Sequence, residues 1–310
     1  MKRPRIVVVG SSNTDMVVKA ERIPVPGETV TGGQFVMAAG GKGANQAVAA
    51  ARLGAEVTFV ARIGQDMFGD QAVEGYQKEG IVTDWILRDP QRHTGVALIM
   101  VDQQGENLIA VASGANHALT PQDVERAAER IRAADAVMLQ LETPMDTVRF
   151  TAQLAADAGV PVILDPAPAA PLDRSLLERV TYLTPNESEA ERLTGLPVQD
   201  EASAREAAAK LLQSGARHVI VTLGSQGALV AGPEGATLIP GYQVEARDST
   251  AAGDAFNGGL ASALAKGLSL EEAVRQANLG GALSVTRMGA QPSLPTEEEL
   301  RRFAEEVAGS

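Results

Sequence analysis

Short aliphatic, β-branched runs alternate with alanine-rich stretches of helical spacing along most of the chain. The first run, Ile6–Gly10, is ended by glycine. Similar runs stand at Val57–Ala61, Ala136–Leu141, Val162–Asp165, Tyr182–Thr184 and His218–Thr222. Between them, Ala44–Leu53, Pro121–Ala133, Met145–Ala158 and Ala202–Ser214 carry apolar residues at helical intervals. A strand apolar at every position needs cover on both faces. The alternation therefore predicts an α/β fold of three layers, with a mostly parallel sheet between helices. Of 310 residues, 45% are hydrophobic and 3% aromatic, so Ala, Val and Leu must fill most of the core.

Two regions break the rhythm. Met16 to Met37 is rich in Thr, Val, Pro and Gly and has no helical pattern. Thr94–Val101 and Asn107–Ala112, joined by Asp102-Gln103-Gln104-Gly105-Glu106, read as a β-hairpin. We expect these segments, about 13–38 and 94–113, to form a small β-sheet lid; the alternative is two ordinary loops. Ala228–Ala231, Thr237–Ile239 and Tyr242–Ala246 read as antiparallel edge strands, and the tail from Ala251 as mainly helical. No repeat or linker divides the chain, so the expectation is one domain over residues 1–310.

The formal net charge of −12 disfavours nonspecific binding to nucleic acid. A phosphorylated small ligand stays possible, because backbone amides and helix ends build local anion sites. The basic start, Met1 to Arg5, leads into an apolar run too short for a signal-peptide core, and no stretch is long enough to span a membrane. The chain has no cysteine, which fits a cytoplasmic location. His93, His117 and His218 do not pair at metal-ligand spacing.

Five segments carry chemistry. In Asp248-Ser249-Thr250-Ala251-Ala252-Gly253-Asp254, small residues give way to a helical pattern. Unpaired amides and partial positive charge at a helix start suit a phosphate. Asp254 then reads either as a base for a substrate hydroxyl or as a helix N-cap. Ala39-Gly40-Gly41-Lys42-Gly43-Ala44-Asn45-Gln46 allows close backbone approach, with Lys42 and Asn45 able to bond hydroxyls; it matches neither common nucleotide loop. Asn13, Asp15 and Glu142 follow strands, at the sheet edge where ligands lie, and suit vicinal hydroxyls; solvated loops explain them too. Asn186 and Glu189 read as Mg²⁺-orienting groups, as a helix capping box, or as both. Thr222-Leu223-Gly224-Ser225-Gln226-Gly227 is a glycine-bearing turn able to receive a nucleotide.

Taken together, these segments resemble the ribokinase family of carbohydrate kinases over nearly the whole chain. Gly40–Gln46 with Ala47–Leu53, and Asp248–Gly258, carry the resemblance most specifically; Pro26–Gly32, Gln140–Glu142 and Gly289–Ser293 add to it. The resemblance implies ATP-dependent phosphorylation of D-ribose at its 5-hydroxyl. Asp254 would be the base, with an anion hole at Ala251, Ala252, Gly253 and Asp254. Ribose would lie against Asn13, Asp15, Gly41, Lys42, Gly43, Asn45 and Glu142. ATP would contact Asn186, Glu189, Thr222, Leu223, Gly224, Ser225, Gln226, Gly227, Gly253 and Asn278, with Mg²⁺ near Asn186 and Glu189. A K⁺ site would use Asp248, Thr250, Ser284, Arg287, Gly289 and Ser293, several through carbonyls. The lid would pair with that of a second copy in a homodimer. Ser249 and Ala255 stand where relatives often carry Thr, and Asp165 where some carry Asn. Other readings are a kinase of this fold for fructose, 2-deoxyribose, a keto-deoxy sugar acid or a nucleoside, or a sugar sensor without catalysis.

Overall fold

The computed structural model describes residues 3–308. Met1 and Lys2, at the basic start, lie outside them. The first half contains β1 (Arg5–Val9), β2 (Asn13–Lys19), β3 (Gln34–Gly40), α1 (Lys42–Arg52), β4 (Glu56–Gly64), α2 (Met67–Lys78), β5 (Ile86–Asp89), β6 (Gly95–Val101) and β7 (Asn107–Ala112). Then follow α3 (Pro121–Glu125), α4 (Ala128–Arg132), β8 (Ala136–Leu139), α5 (Met145–Asp157), β9 (Val162–Leu164), α6 (Arg174–Leu177) and β10 (Tyr182–Leu183). The remainder is α7 (Glu187–Thr194), α8 (Glu201–Gln213), β11 (His218–Thr222), β12 (Gly227–Gly232), β13 (Gly235–Pro240), α9 (Ala252–Ala265), α10 (Leu270–Ser284) and α11 (Glu297–Ala308).

The large sheet runs β13-β12-β11-β10-β9-β8-β1-β4-β5. Its pairs are parallel from β5 to β11, and β12 and β13 add antiparallel at one edge. Alternate residues of β1 feed different layers, as the apolar run requires. Val7 and Val9 join the core under α5 and α8, while Ile6 and Val8 join the core under α1 and α9. Strand order reverses at β1, which pairs with β4 on one side and β8 on the other. Such a reversal opens a crevice beyond the carboxyl ends of the strands.

The second sheet runs β3-β2-β6-β7, uniting the two segments expected to form a lid. It is rooted at the crevice: Asn13 at its start pairs with both Gly40 and Gly95. Most of its apolar residues find no cover. Phe35, Met37, Leu98 and Leu108 are 63%, 42%, 55% and 53% exposed.

Three expectations need correction. Tyr242–Ala246 is not a strand, because β12 and β13 already close that edge as a hairpin, and the segment instead runs toward α9. Pro121–Ala133 is two short helices, parted at Arg126 and Ala127, where the Ala127 amide bonds Val124 in a tighter turn. The helix α2 and strand β5 were not anticipated: α2 carries two glycines and few buried residues, and β5 is half-buried.

Candidate active site

The loop between β3 and α1 fits because its glycines have no side chains. Gly41 has φ 89°, and a Cβ there would stand 2.8 Å from the Asn13 nitrogen. At Gly43 a Cβ would stand 2.5 Å from the Ser11 nitrogen. The start of α1 thus lies directly on the chain leaving β1, and the Ala44 amide bonds the Ser11 carbonyl at 2.9 Å. This contact brings Lys42, Asn45 and Gln46 into the crevice.

Helix α9 reaches the same place from the other end of the chain. Its N-cap is Ala251, the one non-glycine among the described residues with positive φ, at 60°. Asp254 is therefore in the first turn and not the N-cap, and one of its two sequence readings falls away. The Ala252 amide donates to the Ser249 carbonyl at 3.2 Å. The amides of Gly253 and Asp254 meet no backbone acceptor among the described residues. Gly253 is exposed, and a Cβ on it would touch nothing within 4 Å. Two free amides, a helix N-terminus and open space are an arrangement able to receive an anion.

Beneath that site Asp254 is 5% exposed. Asn45 Nδ2 donates to its Oδ2 at 2.9 Å, and Gln46 Nε2 to its Oδ1 at 3.1 Å. Burial pushes its pKa up to about 6; the charge of Asp165 adds to this, and Lys42 opposes it. Asp15 is likewise raised to about 6 by burial, then by Glu142 and Asp254. Asp165 reaches about 6 by burial, against the pull of Lys42. Lys42 Nζ lies 3.6 Å from Asp165 Oδ2. Burial disfavours its charge, but Asp165, Asp254, Glu142 and Glu189 together outweigh this and hold it protonated.

Around this centre the other polar residues gather. Glu142 accepts from the Ser11 hydroxyl and from the Lys42 amide, the latter at 3.0 Å. Asn13 Oδ1 accepts from Asn116 Nδ2 at 2.7 Å, and Asn116 in turn accepts from the Ser12 amide at 2.9 Å. Asn45 Oδ1 is buried with no protein partner. A donor such as a sugar hydroxyl would satisfy it.

The structure brings Asn13, Asp15, Gly41, Lys42, Gly43, Asn45, Glu142 and Asp254 to one crevice. It also reveals residues that sequence reasoning left out. Gln46, Gln140, Asn116 and Ser11 are buried partners of the set, and Asp165 sits at its floor. Asp165 follows the end of β9 as Glu142 follows β8, so the same sheet-edge argument reaches it. Gln46 is, with Asn45, one of two polar residues set among the buried small residues of α1.

The segments expected to take a nucleotide adjoin one another at the ends of β10 and β11. The Thr222 amide bonds the Pro185 carbonyl at 3.0 Å, and Asn186 bridges to Thr222. Leu223 leads into a short 3₁₀ turn over Gly224–Gln226, closed by the Leu223 amide on the Gly227 carbonyl at 2.8 Å. Asn186 and Glu189 form a reciprocal capping box at the start of α7, which engages one Glu189 oxygen with the Asn186 amide. Asn278 Nδ2 donates to the Ile239 and Pro240 carbonyls, each at 3.2 Å, and fastens the end of β13.

The loop before α9 is tied to the segment after α10. Asp248 Oδ2 accepts from the Gly289 amide at 2.8 Å, and its Oδ1 from the Thr250 amide at 2.9 Å. Burial resists, but these bonds hold the Asp248 carboxyl below the ordinary carboxylate range. The Ser293 hydroxyl donates to the Ala290 carbonyl at 2.7 Å, so its lone pairs stay available. Arg287 pairs through its guanidinium with Glu299 at 2.9 Å, so that side chain is already engaged.

The sequence pattern of the pfkB family carbohydrate kinases matches residues 3–297. The chain is 45% identical to the ribokinase of Haemophilus influenzae, over 98% of this chain and 99% of that one. It is 37% identical to the deoxyribokinase of Salmonella typhi, over 96% and 98%. Among solved structures, an Arabidopsis thaliana ribokinase complexed with ribose and ATP superposes with a TM-score of 0.91 at 35% identity, covering 98% of this chain and 99% of that one. The chain belongs to the pfkB family of carbohydrate kinases.

Proposed function

We propose that this enzyme transfers the γ-phosphoryl group of ATP to the 5-hydroxyl of D-ribose. The observation that carries this reading is Asp254, a buried carboxylate directly below the free amides that open α9. Phosphoryl transfer asks mainly for in-line placement and charge stabilisation. The Gly253 and Asp254 amides, with the positive end of α9, face the transferring group. Asp254 accepts the hydroxyl proton; at about 6 its pKa leaves it ionised at neutral pH yet more basic than an exposed aspartate. Lys42, Asn13, Asp15, Asn45 and Glu142 hold the sugar. The turn Thr222–Gly227, Asn186 and Asn278 hold the nucleotide.

Mg²⁺ fits beside Glu189. No cluster of three or more acidic or histidine ligands exists among the described residues, so nucleotide phosphates and water would supply most of its shell. It would neutralise phosphate charge. K⁺ fits the hard oxygen donors at Asp248, Thr250, Ser284, Arg287, Gly289 and Ser293, where it would brace the loop before α9. The whole chain acts as one catalytic domain with its lid. The exposed apolar residues of that lid support a homodimer in which a second copy covers them. Among the described residues no helix is long and apolar enough to cross a membrane. We place the enzyme in the cytoplasm, where ATP is supplied.

An ADP-release assay across pentoses, 2-deoxyribose, hexoses and nucleosides tests the reading. D-ribose should give the highest kcat/KM. The 37% identity to a deoxyribokinase makes 2-deoxyribose the alternative, and a preference for it would replace ribose in the proposal.

A further inference from the structure

One buried acidic side chain in the crevice has no part in the scheme above. Asp165 is 5% exposed at the end of β9, and its closest polar neighbours are Lys42 and Gln46. Gln46 Nε2 donates to Asp165 Oδ2 at 2.8 Å and to Asp254 Oδ1 at 3.1 Å. One amide nitrogen thus spends both its protons on two carboxylates from β9 and α9. Its orientation is determined from both sides. The reverse amide orientation would turn an oxygen toward two anions, and Gln46 Oε1 already accepts from Gln140 Nε2 at 2.6 Å. Gln140 is itself fully buried against Gly10, where a Cβ would stand 2.1 Å from its Oε1.

We propose that Asp165 is a positioning residue for Asp254: with Gln46 as shared donor and Lys42 as shared cation, it fixes the orientation of that carboxylate and helps set its basicity. The inference rests on the reading of Asp254 as the base. Two oxygens within 3.1 Å of one nitrogen are close enough for each charge to oppose the other. Asp165 also competes with Asp254 for Lys42, weakening the cation's hold on the base. Both effects favour a proton on Asp254. The charged groups facing this pair are Lys42 from α1, Asp15 from β2, Glu142 after β8 and Glu189 from α7. The three acids add to the effect of Asp165, and Lys42 is the cation among these groups.

The test is the pH profile of kcat/KM for ribose at saturating ATP, for wild type, Asp165→Asn, Asp165→Ala and Asp254→Asn. ATP and its metal titrate alike in every sample, so differences report the protein. Asp165→Asn keeps an acceptor for Gln46 and removes the charge. Its acid limb should move to lower pH by about one unit, the shift expected for a lost neighbouring charge. Asp165→Ala also frees Gln46 and should lower the plateau about tenfold further than Asp165→Asn, the size expected for a misplaced catalytic group. An acid limb unchanged in Asp165→Asn overturns the proposal. Near-wild-type turnover in Asp254→Asn instead overturns the base assignment beneath it. Gln46→Met gives an independent arm that alters neither carboxylate. A kcat lowered about tenfold with little change in KM supports the shared donor, and wild-type kcat overturns it.

Discussion

Asn45 Nδ2 donates to Asp254 Oδ2 across 2.9 Å, joining residues 209 positions apart in the chain. The bond links the first turn of α1 to the first turn of α9, and the two helices pack through small residues. A Cβ on Gly258 would stand 2.4 Å from that of Ala49. The loop before α1 and the start of α9 are therefore tied to each other, and the small side chains at the helix contact set how closely they approach.

Replacing Asp254 by Asn should lower kcat by about 10²–10⁴, the range for loss of a general base. Ribose should still bind, since Lys42, Asn13, Asp15 and Glu142 stay in place. Steady-state kinetics with calorimetric titration of ribose checks both halves. Retained turnover would remove Asp254 from the mechanism.

Ala251 holds a left-handed backbone at φ 60°. An alanine there costs about 1 kcal/mol relative to glycine. Ala251→Gly should thus raise thermal stability slightly, by about 0–1 kcal/mol after the entropy added to the unfolded chain. Ala251→Val, branched at a position where branching is least tolerated, should lower both Tm and turnover. A valine variant with wild-type Tm would contradict the strained cap.

Stability should depend on pH through the crevice acids. Asp165 has a pKa of about 6 folded against an ordinary 3.8. The folded state binds its proton more tightly, so the favourable contribution is complete below about pH 4 and is lost as pH rises through about 6. Asp165→Asn removes that loss, and Lys42 keeps Asp254, Glu142 and Glu189 as counter-charges. The variant should exceed wild type in Tm at pH 8, by about 2–4 °C for a gain on the order of 1 kcal/mol. The difference should vanish near pH 4. A variant no more stable at pH 8 would show that Asp165 is not destabilised by burial.

Register divides the lid into two faces. Val18 pairs with Phe35, Met16 with Met37 and Leu98, and Met100 with Leu108, all on the face opposite Asp15. If a second copy covers that face, Phe35→Lys with Leu98→Lys should give a monomer in sedimentation equilibrium, because burying two charges there is costly. A dimer that persists would place the interface elsewhere.

The layered architecture was legible from periodicity, because strands apolar at every position need two covering layers wherever they lie. The lid was legible because its first segment lacks helical spacing and its second reads as a β-hairpin. Glycine positions marked the close approach at Gly41 and Gly43, although what they approach is invisible in sequence. The sequence by itself determined which chemical groups are present and at which strand and helix ends they stand. Only the tertiary structure decided that Asp254 is a buried acid and not a helix cap, that Gln46 serves two carboxylates, and that the Ala252 amide is spent on Ser249. Those outcomes depend on burial and on distances between segments up to two hundred residues apart, and both exist only once the helices have packed.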